Sequence, residues 1–121
     1  MPAAIVVTTE ETFGTVKKIK FEITSSDAGV ATATTTNFFS GEVLRFVSVP
    51  GAAAAQPTDA FDIALNDEDG YDILAGQGTN LSNAATTTVV ASMGCLANDK
   101  IALSAAGMGD QKTATIYVYI R

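Results

Sequence analysis

The stretch FDIALNDEDGYDILAGQG, residues 61–78, sets five acidic side chains, Asp62, Asp67, Glu68, Asp69 and Asp72, among short apolar runs. Carboxylates at this density can ligate calcium, act as an acid/base pair on a glycosidic bond, or simply build turns. An EF-hand calcium loop needs oxygen ligands at alternating positions, Gly at the sixth and Glu at the twelfth. Asp67, Asp69 and Gly70 meet that spacing, but Leu65 stands at the first ligand position and Gly76 at the twelfth, so the EF-hand reading fails. A looser calcium site from Asp67, Asp69 and backbone carbonyls is the weaker form of the idea, and turn chemistry outweighs it. Glycoside hydrolysis asks for two carboxyls about 5 or 6.5–9.5 Å apart beside a sugar platform. Asp62 and Asp72 are expected to face each other across a hairpin, yet the chain has no Trp to stack a sugar, and a solvated hairpin surface is the preferred reading. The segments GQG and GMGDQ lack the Lys-Ser/Thr of a phosphate loop and read as turns.

Residue types that are missing narrow the chemistry further. The chain contains no His, which removes Ser-His-Asp and Cys-His arrangements and His-containing zinc sites. Its one cysteine, Cys95, has no partner for a disulfide and is expected to be a small buried apolar residue. The expectation is a protein that is not an enzyme, with no cofactor and no metal site.

The elements that would position these residues are strands. A chain of 121 residues fits one domain and can bury roughly two thirds of its unfolded surface. In VKKIKFEIT, Ile19, Phe21 and Ile23 alternate with Lys18, Lys20 and Glu22, the period of a half-buried strand. ATATTT, after the turn at Asp27 and Gly29, is expected to return beside it as a hairpin. In EVLRFVSV, Val43, Val47 and Val49 are assigned to one face and Leu44 and Phe46 to the other, so that both faces need cover. AAAAQPTD, lying between two prolines, reads as a loop. Phe61, Ile63 and Leu65 alternate with Asp62, Ala64 and Asn66, and Tyr71 and Ile73 are expected to form the second arm of that hairpin. ATTTVVAS and NDKIALSAA read as further strands, residues 83–96 are the only stretch where a helix has any support, and in KTATIYVYI the residues Ile116, Val118 and Ile120 oppose Tyr117 and Tyr119. The expected fold is all-β: a single-domain antiparallel β-sandwich or jelly-roll-like barrel of about eight strands over residues 13–121. Residues 1–12 precede it as an N-terminal arm or an extra strand.

The net charge of −6 repels phosphate backbones and anionic lipid surfaces, so neither nucleic acid nor membrane is an expected partner. No apolar run approaches the ~20 residues of a membrane-spanning helix, and the first residues lack the pattern of a signal peptide, so a soluble, unsecreted protein is expected. An exposed AIVV, residues 4–7, would favour aggregation and calls for a partner surface.

Three segments, KIKFEITSSDAGVATATTTNFFSGEVLRFVSVPG, PTDAFDIALNDEDGYDILAGQGTNLSNAAT and ANDKIALSAAGMGDQKTATIYVYIR, together with the DEDG tip and the final YVYIR strand, resemble small structural proteins of tailed bacteriophages. The likeness runs from about residue 16 to residue 121. It implies a virion component made in the bacterial cytoplasm, foremost a capsid decoration (cement) protein that binds the outer head surface. Its partners would be the major capsid protein or other virion proteins, and it would form a homo-oligomer, with a trimer favoured. A head-tail connector, tail or receptor-binding component is the alternative, and a carbohydrate-binding module or a minor hydrolase using Asp62, Asp67, Asp69 or Asp72 is the reading from a different class. Ile5, Val6, Val7, Phe46, Tyr117 and Tyr119 are the expected interface residues.

Overall fold

The computed structural model describes residues 2–121 as nine strands in two antiparallel sheets. The strands are β1 (Ile5–Phe13), β2 (Val16–Thr24), β3 (Ala31–Thr34), β4 (Phe39–Pro50), β5 (Asp62–Asn66), β6 (Thr87–Val89), β7 (Cys95–Asp99), β8 (Ala102–Ala106) and β9 (Thr113–Ile120). The larger sheet runs β1-β2-β9-β4-β6, with β7 also pairing β4, and the smaller runs β3-β8-β5. The two sheets pack as a sandwich, as the alternation along the chain predicts.

Most of the core consists of the positions that this alternation assigns to it. Ile19, Phe21 and Ile23 of β2, with Ile116, Val118 and Ile120 of β9, are buried on the inner face of the large sheet. Ile63 and Leu65 of β5 and Leu103 and Ala105 of β8 meet them from the small sheet. Phe61, Leu74, Leu81 and Met108, carried by connecting segments, fill in between them.

Four expectations are corrected. β2 does not pair with the ATAT segment: it lies between β1 and β9, while β3 joins β8 in the other sheet. Residues 5–13 are long and β-branched enough to compete for the same edge, and a two-residue turn makes them the nearest partner. Gly14 occupies the first turn position at φ +59, as a type II′ hairpin requires. Of the two readings of residues 1–12, an arm or an extra strand, the structure therefore takes the extra strand, β1; Met1 lies outside the described residues.

The second correction concerns β4. The register against β9 slips between Val43 and Arg45, leaving Leu44 as an extra residue. Such a bulge shifts the side-chain phase by one. Val43, Phe46 and Ser48 consequently face the core, whereas Val47 is half-buried on the outer face and Val49 exposed beside it. At the start of this strand Gly41 adopts φ +133 and lies against the backbone of Arg121, where a Cβ would come within 2.7 Å of the carbonyl carbon. Only glycine lets β4 and the end of β9 close in this way.

Third, the segment after NDEDG is not a strand. A single bridge, Asn66–Asp72, is followed by consecutive turns, with Tyr71 exposed and Ile73 buried. Fourth, Cys95 at the start of β7 is exposed, not buried, while its neighbour Leu96 is buried; ATTTVVAS does supply a strand, β6, and residues 83–96 contain no helix. The expected loop at residues 52–57 contains only a single 3-10 turn, Ala53–Ala55.

Several loop residues other than glycine hold a left-handed backbone, among them Ala60 at φ +62. Ala60→Gly should therefore raise stability by about 0.5–1 kcal/mol, since the Cβ penalty of that region exceeds the extra chain entropy of glycine. A thermal melt rising by a few degrees would show it; an unchanged or lower midpoint would contradict it.

Candidate functional site

The acidic stretch is occupied with its own backbone. Asp72 Oδ1 accepts from the N–H groups of Leu65 (3.1 Å) and Leu74 (3.0 Å), and Oδ2 from Gly76 (2.9 Å). Asp67 Oδ1 accepts from Asp69 and Tyr71, closing the DEDG tip, and Asp62 Oδ1 accepts from Asn80. Asp72 bridges to Asn66 and not to Asp62, so the two do not face each other across a hairpin, and their carboxylates serve different loops. Among the described residues no group of three or more Asp, Glu or Cys side chains is placed to hold a metal ion. A turn builder tolerates amide replacement, because Asn keeps an accepting oxygen. Changing Asp67, Glu68 and Asp69 together to Asn, Gln and Asn should move stability by less than ~0.5 kcal/mol per site. Added calcium should leave the melting temperature in place; a rise of many degrees, reversed by chelator, would mean a metal site instead.

A different surface gathers the expected interface residues. Residues paired across antiparallel strands share a face. The register therefore extends rows across the outside of the large sheet: Glu11–Lys18–Tyr119–Arg45, then Thr9–Lys20–Tyr117–Val47, then Val7–Glu22–Thr115–Val49. Ile5 extends the same face beside Thr24. Ile5, Val7, Tyr117 and Tyr119, far apart in the chain, are thus brought together. The other two expected residues are not. Val6 pairs with Ile23 on the inner face and packs against the core, and Phe46 is fully buried within the chain's own core, so neither can serve as a contact on this surface.

Cations flank the tyrosines. Arg45 Cζ lies 4.2 Å from the centre of the Tyr119 ring and Lys18 Nζ lies 5.5 Å from that of Tyr117, within cation–π range. Lys20 and Glu22 form an ion pair at 2.8 Å. The hydrogen bond and charge of Glu22 raise the Lys20 pKa above its ordinary value. The part of the stability that is linked to the raised Lys20 pKa is lost as pH climbs through that raised value, far above neutrality, so it does not vary near pH 7. Lys18, Lys20 and Arg45 against Glu11 and Glu22 leave these rows at +1 on a chain of −6. The acidic excess lies elsewhere, much of it on β5 and its flanking loops in the opposite layer.

Val47, Val49, Lys18, Lys20 and Arg45 were missing from the sequence-derived interface set. Alternation alone places the two lysines on an outer face, but only the β2–β9 pairing brings them beside the tyrosines, and only the Leu44 bulge turns Val47 and Val49 outward.

These features define an all-β sandwich with one mixed aromatic, aliphatic and cationic face. No protein-family model matches the chain, and comparison with curated proteins and with solved structures returns no match.

Proposed function

We propose that this chain is a structural protein of a tailed-phage virion, a capsid decoration protein that lies with the outer face of its large sheet against the head and stabilises the shell. The observation that carries the docking mode is the convergence of Tyr117, Tyr119, Val47, Val49, Ile5 and Val7 with three cations on one face of an otherwise acidic molecule. Tyrosine and arginine are the side chains over-represented at binding hot spots, and a cation-bearing face meets an acidic or carbonyl-rich surface while the acidic layer stays in water. The resemblance to small phage structural proteins supplies the identity of that surface. Many copies on a symmetric shell allow modest contacts to act together.

Purified protein should bind heads that lack it and raise their rupture temperature. Arg45→Glu, which reverses a charge without touching the core, should weaken binding about tenfold or more and leave the fold intact by circular dichroism. Raised salt should weaken wild-type binding in the same direction. Heads that bind the wild type and Arg45→Glu equally well would remove this face from the contact. Heads that bind neither would remove the decoration reading.

A further inference from the structure

We propose that β1 is a self-pairing edge: two copies join antiparallel along Ile5–Phe13 about a two-fold axis at Thr9, forming one sheet continuous through both subunits. β1 ends the large sheet, and among the described residues its nine residues pair only with β2. No backbone hydrogen bond from a loop reaches residues 5–13 among the described residues. Edge strands are normally protected by proline, lysine, inward-pointing charges, bulges or brevity. This one has no proline or lysine, keeps an unbroken register, and exposes Ile5, Val7 and Phe13 by 62%, 53% and 58% on a single face. Of its two charges, Glu10 is the one inward-pointing charge, and both its carboxylate oxygens are already satisfied within the chain by the N–H groups of Thr36 and Asn37 at 2.9 Å each, so a strand added at the edge leaves no charge stranded.

The occupant follows from the register. In a two-residue hairpin the pair flanking the turn is hydrogen-bonded, so Phe13, Glu11, Thr9, Val7 and Ile5 direct their backbone groups to β2. Those of Val6, Thr8, Glu10 and Thr12 point to the open edge. With the axis at Thr9, Val6 meets the second copy's Thr12 and Thr8 meets its Glu10, so every outward residue gains a partner. On the outer face Ile5 then lies across from the second copy's Phe13, apolar against apolar, and Glu11 across from its Val7. No acid faces an acid. With the axis moved to Glu10, that residue opposes itself and Ile5 is left unpaired; with the axis moved to Thr8, Phe13 is left unpaired and Ile5 opposes Glu11. Like charges directly opposite are unfavourable, and the Thr9 register alone satisfies both charge and apolar matching. The strand is thus complementary to itself. The pairing does not depend on the docking role of the large sheet, and its failure would leave that role untouched.

Sedimentation velocity on the full chain should give a dimer at about 100 µM, a concentration at which even weak self-association is populated. Thr8→Pro removes an N–H that faces solvent in the monomer, so it should keep the native circular dichroism spectrum while weakening the dimer about tenfold or more. In a Cys95→Ser background, Thr9→Cys should form a disulfide-linked dimer on mild oxidation and Thr8→Cys should not, because only residue 9 meets its own copy. A monomer at that concentration, a dimer indifferent to Thr8→Pro, or cross-linking through residue 8 instead of residue 9 would each overturn the proposal. So would a monomer that acquires a strand from another protein at this edge.

Discussion

Phe46→Ala is expected to unfold this protein under conditions in which Val47→Ala leaves it intact. Phe46 is fully buried on β4, directly across from the buried Val118 of β9, in the middle of the core between the two sheets. Truncating a buried Phe costs ~3–5 kcal/mol through lost transfer energy and the cavity left behind. A domain of this size has only ~5–15 kcal/mol in hand. The melting temperature should drop by roughly 10–20 °C, if a cooperative transition survives at all. Val47 pairs with Tyr117 on the outer face, so its truncation should shift the melt by only a few degrees and register instead as weaker docking to heads. Equal destabilisation by the two changes would mean that the bulge at Leu44 does not set the phase of β4 as described.

Asp72→Ala should be the most damaging change within the acidic stretch. Three backbone N–H groups, those of Leu65, Leu74 and Gly76, would lose their acceptor together, and two of these bonds are partly buried. Stranded donors of this kind cost ~1–3 kcal/mol each and are not additive, giving a loss of about 2–4 kcal/mol overall. Asp72→Asn keeps one accepting oxygen and should lose about half as much. Asp69→Asn should lose almost nothing, since the Asp69 carboxylate forms no hydrogen bond with the described residues. Denaturant titrations of the three variants give the ranking. If Asp69→Asn proved as costly as Asp72→Ala, the turn account of this stretch would be wrong.

The sequence carried the local half of this fold clearly. Period-2 alternation in β2, in β5 with the Phe61 that precedes it, and in β9 marked Ile19, Phe21, Ile23, Phe61, Ile63, Leu65, Ile116, Val118 and Ile120, and all are buried. The non-local half was not legible. Nothing in ATAT states that it joins β8 instead of β2, because strand pairing is decided by tertiary competition, here won by a two-residue hairpin with β1. The extra residue at Leu44 leaves no mark on composition, yet it moved Phe46 from the expected surface to the core and turned Val47 and Val49 outward. The Tyr71–Ile73 stretch has the alternation of a strand, but three hydrogen bonds to the Asp72 carboxylate bend the chain into turns. Cys95 departed from the general tendency of cysteine to be buried, because its neighbour Leu96 takes the inward position at the start of β7. The candidate face was therefore half visible: Tyr117, Tyr119, Ile5 and Val7 could be named from outward positions and apolar surplus, whereas the cations that flank them required the β2–β9–β4 register.

The most direct test of the central claim is a cryo-electron microscopy map of the phage particle, at a resolution that separates the two sheets. The docking account predicts copies in the hundreds on the outside of the head, each with the Tyr117, Tyr119 and Arg45 face against the shell and the acidic β5 layer toward solvent. Copies confined to a tail or connector ring, or a shell contact made through the β5 layer, would contradict it.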